Sequence, residues 1–263
     1  MSATWPRVGR LVYGGAAVAL GLIGLRWGDF AAVWQPVPAT VPHRTALAYV
    51  AALTLVLGGA ATLHRRTARI GAVALGVVYV GVALPWLRRV VHYPQLSGTW
   101  LGFLEQFALV VAAMVVYATV AHGVTERAPS STRVLTTARV LLGACALSFG
   151  IAHFTALPQT AAMVPKWLPP DQRFWAAATG AFHLLAAGAL LTGIRAQLAA
   201  RLLAVMLLGF GALVWAPMLV ADPGAHMRWA GNAVNLAIAG AAWVVADALT
   251  QGPLSVPRAW ARR

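Results

Sequence analysis

Charge is scarce in this chain. Only 10% of its 263 residues are Asp, Glu, Lys or Arg, against roughly 25% in soluble domains. Six residues are acidic, and Lys166 is the one lysine beside the arginines. This excludes an ordinary soluble enzyme, a disordered chain and a fibrous protein. Cysteine is scarcer still. A single Cys145 cannot form an internal disulfide, a CxxC redox pair or a Cys-based zinc site. No phosphate-binding glycine loop or dinucleotide fingerprint is present, so nucleotide chemistry would need a partner. No basic run is interleaved with aromatics, so the net charge of +14 does not point to nucleic acid.

Apolar residues are abundant, at 60% of the chain with a mean hydropathy of +0.74. A bilayer core takes about 20 apolar residues of helix. Eight stretches qualify, at approximately 9–29, 46–63, 70–87, 100–121, 139–158, 174–194, 202–221 and 229–246. Stretches 46–63, 70–87 and 202–221 carry no charge at all, which predicts membrane spans rather than buried soluble helices. With the amino terminus placed in the cytoplasm, seven basic residues fall outside: Arg26, Arg44, Arg88, Arg89, Lys166, Arg173 and Arg228. The other 13 of the 20 fall inside. That asymmetry predicts both termini in the cytoplasm, with the positive charge facing lipid headgroups.

The chain reads as a duplication. A shift of 129 residues aligns the halves without a gap: Arg10 on Arg139, Gly21 on Gly150, Pro36 on Pro165, Trp86 on Trp215, Pro94 on Pro223, Trp100 on Trp229 and Gly102 on Gly231. Four spans per half, an even number, make this a parallel repeat about an axis along the membrane normal. The expected fold is all-α: a polytopic membrane protein of eight transmembrane helices in two parallel four-helix repeats. Residues 1–121 form the first repeat, 122–137 a cytoplasmic linker, 138–250 the second repeat and 251–263 a basic cytoplasmic tail. The basic start before an apolar run resembles a signal peptide, but its counterpart in the second half argues for a retained helix. Each half also holds a Pro-rich outer segment, Trp34-Gln35-Pro36-Val37-Pro38 and Val164-Pro165-Lys166-Trp167-Leu168-Pro169-Pro170. These are expected to fold back over the end of the bundle.

The second half carries Gly150-Ile151-Ala152-His153-Phe154, then Val164-Pro165-Lys166-Trp167-Leu168-Pro169. Thr179-Gly180, Ala187-Gly188, Arg195 and Arg201 follow. This pattern resembles the DoxX-like family of four-span bacterial membrane proteins. The family is similar to small subunits of thiosulfate:quinone oxidoreductase and, distantly, to the surfeit-locus cargo receptors. The resemblance implies a four-helix fold and a membrane redox setting; it is weaker in the first half, where the His-Phe position is lost.

Polar residues inside a membrane are costly and are functional candidates. Gln106 matches Asn235, and each follows a matched glycine by four residues, a helix-packing pattern. Glu105 breaks the symmetry, standing opposite Val234. It is either the ion-pair partner of Arg26 or a proton acceptor beside a bound ligand. His153 and His183 have no His counterpart; each either donates to a nearby carbonyl and fills space, or serves a ligand. Trp229, Asn232 and Asn235 fall at three-residue steps and are read as one face. The residues assigned to chemistry are therefore Glu105, His153 and His183, with Arg26, Trp229, Asn232 and Asn235 shaping an outer-half pocket. Haem or metal is disfavoured, because no two histidines stand three or four residues apart and no cysteine or carboxylate backs them. Eight of the 11 tryptophans lie at outer ends, as an aromatic belt or a vestibule.

The expected function is a membrane redox component binding a quinone or a similar lipophilic ligand, with lipids and a soluble or membrane redox protein as partners. The rival is a lipid- or protein-binding assembly or cargo factor. A transporter is a third reading, opposed by the lack of a mid-span break. The sequence leaves enzymatic activity open.

Overall fold

The computed structural model describes residues 8–121 and 129–250. The expected tail at 251–263 and part of the expected linker lie outside them. The described residues form helices α1 (Val8–Trp27), α2 (Arg44–Leu63), α3 (Ala68–His92), α4 (Ser97–Ala121), α5 (Pro129–Thr155), α6 (Leu157–Met163), α7 (Gln172–Thr192), α8 (Ala196–Phe210), α9 (Ala216–Ala221) and α10 (His226–Leu249). Eight spans are long and apolar enough to cross a membrane, with α8, a π-helical segment and α9 running together as Ala196–Ala221. Large apolar side chains such as Leu57, Ile70, Val77, Leu185 and Leu202 are exposed on the flanks, which suits contact with lipid tails.

The spans neighbour one another in chain order, from α1 through α5, then α7, α8 and α10. The ring closes because α10 returns to α1, and α4 also meets α10. Small residues make this closure dense. A Cβ on Gly9 would lie 2.5–2.8 Å from the backbone of Trp243 and Val244, and one on Gly240 would strike the backbone of Tyr13. Close backbone approach of this kind holds membrane helices together where no hydrophobic driving force separates protein from lipid. The Tyr13 hydroxyl then donates to the Leu109 carbonyl at 2.8 Å, linking α1 to α4.

Residues 129 apart repeat several contacts. The Trp100 indole donates to the Pro94 carbonyl at 3.0 Å, and Trp229 donates to Pro223 at 2.9 Å. Gly102 lies flat against the Trp86 ring and Gly231 against the Trp215 ring, with no room for a Cβ on either glycine.

Two boundaries differ from expectation. Residues 129–137, read as linker, are the first turns of α5. The seventh span, read as unbroken, contains a π-helical segment at Gly211–Trp215. Pro217 explains it. Its ring removes the N–H that would bond the Leu213 carbonyl, and the chain widens so that Ala216 N–H reaches back five residues to Gly211. Pro85, by contrast, sits inside the continuous helix α3.

The first Pro-rich segment folds over the end of the bundle, as expected. Phe30, Ala31 and Gln35 are buried there. Arg44 at the start of α2 pairs with Asp29 and donates through Nε to the Val37 carbonyl at 3.2 Å. The Trp86 indole donates to the Trp34 carbonyl at 3.0 Å. The Trp34 ring meets the Trp215 ring edge-on, with centroids 5.8 Å apart.

Candidate functional site

A cavity of about 560 Å³ lies at this Pro-rich end, among α4, α5, α7, the α8–π segment and α10. Val164, Pro165 and Leu168 of the second Pro-rich segment line it, and so does Trp34 of the first. Its volume falls within the 300–1,000 Å³ typical of small-molecule sites. The wall is mainly apolar, with Leu101, Phe149, Met206, Phe210 and Ile238 among its residues. Gly98, Met163 and Leu213 line it and are also exposed, so the cavity is open to the surface rather than sealed.

Besides the hydroxyl residues Ser97, Thr160 and Thr179, four polar side chains from separate helices line this cavity: Glu105, His153, His183 and Asn235. The histidines are brought together by glycine. Gly180 on α7 sits under His153, where a Cβ would lie 2.9 Å from the His153 Cβ. Gly150 on α5 similarly faces Leu184. With the two helices this close, the imidazole rings lie 4.7 Å apart between centroids. Phe149 meets His183 edge-on at 5.8 Å, and Phe210 lies 6.2–6.3 Å from both rings.

Each ring is fixed by its own helix. His153 Nδ1 lies 2.8 Å from the Phe149 carbonyl, and His183 Nδ1 lies 2.9 Å from the Thr179 carbonyl. A carbonyl only accepts, so Nδ1 carries the proton in both rings. The expectation that each histidine donates to a nearby carbonyl therefore holds. It does not reduce them to filler, because both also face the cavity. Neither Nε2 has a partner among the described residues, and a neutral ring leaves a lone pair there.

Glu105 does not pair with Arg26, which corrects one of the two readings. Salt bridges among the described residues join Arg44 to Asp29 and Arg228 to Asp222. Arg26 ends α1 at the rim of the bundle and lies over the Trp27 ring, 5.4 Å from its centroid. Glu105 lies two turns inside α4 and faces the cavity. Arg26 and Trp229 belong instead to a separate surface depression with Leu22, Trp27 and Pro223.

The shared face of Trp229, Asn232 and Asn235 is also corrected. At 3.6 residues per turn, two three-residue steps carry Asn235 about 120° round from Trp229. Asn235 lines the cavity and donates from Nδ2 to the Leu207 carbonyl at 2.8 Å. Asn232 lies near Gly211 with its Oδ1 buried and unpartnered. The matched Gln106 is nearly fully buried, and its Nε2 has no partner, so the two amides of the repeat play different parts.

Sequence reasoning missed Phe149 and Phe210 beside the histidines, and the π segment that supplies Leu213, Val214 and Trp215 to the wall. Pro217 was the available signal. Among the described residues, no group of three or more His, Cys, Asp or Glu side chains is arranged to hold a metal.

A family described as a domain of unknown function (DUF8561) matches residues 141–246. That stretch contains both histidines, Asn235 and the π segment, but not Glu105 or Trp34. No curated protein and no solved structure matches the chain.

Proposed function

We propose that this membrane protein binds a small lipophilic ligand of the quinone class in the cavity at the Pro-rich end, as the membrane component of a redox system. The observation that carries this is the wall itself. It is apolar over most of its area, yet two imidazole Nε2 atoms, a carboxyl group with no ion-pair partner and an amide converge on it from four helices. Such a mixture suits a flat, apolar molecule with a few polar atoms. An ordinary acyl chain would leave those polar groups unanswered. The resemblance to DoxX-like proteins, some of them near quinone-linked oxidoreductases, supports the same direction.

In this proposal the site lies in the outer half of a bacterial inner membrane, with both termini in the cytoplasm. The arginine asymmetry supports that orientation. The chain is a duplication, which the contacts shared by residues 129 apart support. The site, however, is not repeated, and it draws on both halves: Glu105 and Trp34 come from the first, and His153, His183 and Asn235 from the second. The counterparts of His153, His183 and Glu105 are Gly24, Thr54 and Val234, which offer one hydroxyl in place of two imidazoles and a carboxyl.

The test is mass spectrometry of small molecules that co-purify with the full chain from native membranes. A quinone near one equivalent per chain, lost in His153→Ala and His183→Ala variants that still fold, is the expected result. Phospholipid alone, unchanged in those variants, would overturn the proposal and favour a lipid-handling or assembly role.

A further inference from the structure

Building on the proposed quinone-class site, we infer that the cavity prefers the reduced, hydroxyl-bearing quinol over the oxidised quinone. The histidine pair carries this. Each Nδ1 is committed to a carbonyl of its own helix, at 2.8 and 2.9 Å. The tautomer is thereby set, and in the neutral ring each Nε2 can only accept. An unperturbed imidazole is mostly neutral at pH 7 and above. Charging both rings 4.7 Å apart would also place two like charges side by side in an apolar wall.

The ligand atom that meets this pair must therefore be a donor. A quinone carbonyl would set oxygen lone pairs against nitrogen lone pairs. A quinol hydroxyl would complete the bond. The threonine hydroxyls of the wall do not relieve the mismatch. Thr179 Oγ1 donates to the Trp175 carbonyl at 2.8 Å, and Thr160 Oγ1 donates to the Ala156 carbonyl at 3.1 Å. One N–H of the Asn235 amide is committed to the Leu207 carbonyl. The indole N–H groups of Trp34 and Trp215 are donors, but they stand with the Pro-rich segment rather than beside the histidines.

The experiment uses the full chain in lipid nanodiscs under anaerobic conditions. Three probes are compared by equilibrium dialysis: ubiquinol-1, ubiquinone-1 and the dimethyl ether of ubiquinol-1, which keeps the shape but has no hydroxyl proton. The expected result is quinol binding about tenfold tighter than either of the others, the scale of one net hydrogen bond. His153→Phe and His183→Phe, which keep a ring but lose the acceptor, should bring the three affinities together by weakening quinol alone. Quinone binding as tightly as quinol to the unaltered chain would overturn the inference and leave the quinone-class site standing. No binding of any probe would overturn both.

Discussion

His153 and His183 show how a helix can prepare a side chain for a ligand. A histidine whose Nδ1 bonds the carbonyl four residues back has its ring plane, tautomer and free nitrogen settled before any ligand arrives. Glycine does the rest, since Gly180 lets α5 come close enough for the rings to meet. Gly180→Ala should therefore destabilise the protein by about 1–3 kcal/mol through overpacking against His153. A lowered thermal midpoint in detergent would show it. Glu105→Gln should behave differently. Glu105 has no ion-pair partner to lose, so the midpoint should not fall, while ligand binding weakens. A midpoint lowered as far as in Gly180→Ala would mean that Glu105 has a structural partner after all. At this scale the sequence was legible where a residue broke the repeat: Glu105, His153 and His183 were found that way, and all three reach one cavity. It was misleading where spacing alone was used. Trp229 and Asn235 looked co-facial because each step of three is nearly one turn, but the shortfall accumulates over two steps. The link between Arg26 and Glu105 failed for another reason. Opposite charge names a partner, but only packing decides whether the two helices bring the groups within reach.

The seventh span is the element in which local chemistry and the site are most closely joined. Pro217 removes the N–H that would bond the Leu213 carbonyl, and the π segment before it places Leu213, Val214 and Trp215 in the cavity wall. π segments of this kind are frequent at functional sites. Pro217→Ala restores the missing donor and permits a regular helix through residues 211–215. Stability should rise by up to about the 3 kcal/mol that an interior proline costs a helix, read as a higher thermal midpoint. Ligand affinity should fall as the wall is rearranged. A variant that gained stability and kept full affinity would show that the π segment only accommodates the proline. Span positions were readable from hydropathy because a bilayer sets a minimum apolar length. The start of α5 was not, because the polar residues Ser130, Ser131, Thr132 and Arg133 look like loop sequence, while helix beyond the membrane core has no need to be apolar.

For the molecule as a whole, the closed ring of spans allows the two halves to differ without loss of architecture. The same indole-to-carbonyl bond recurs at Trp100 and Trp229, at 3.0 and 2.9 Å, while Glu105, His153 and His183 have no like residue 129 positions away. Sidedness can be tested through the single cysteine. Cys145 is fully buried and packs as a small apolar residue, so Cys145→Ala should give a cysteine-free chain that folds. Single cysteines can then be placed in the turns. Thr67 lies between α2 and α3, and Tyr93 and Asp222 lie at the Pro-rich end. If the arginine-rich side faces the cytoplasm, a membrane-impermeant maleimide applied to intact spheroplasts should label Tyr93→Cys and Asp222→Cys. Thr67→Cys should be labelled only after permeabilisation. The reverse pattern would place the cavity mouth in the cytoplasmic leaflet, and any redox partner of the bound ligand would then have to be sought on the cytoplasmic side.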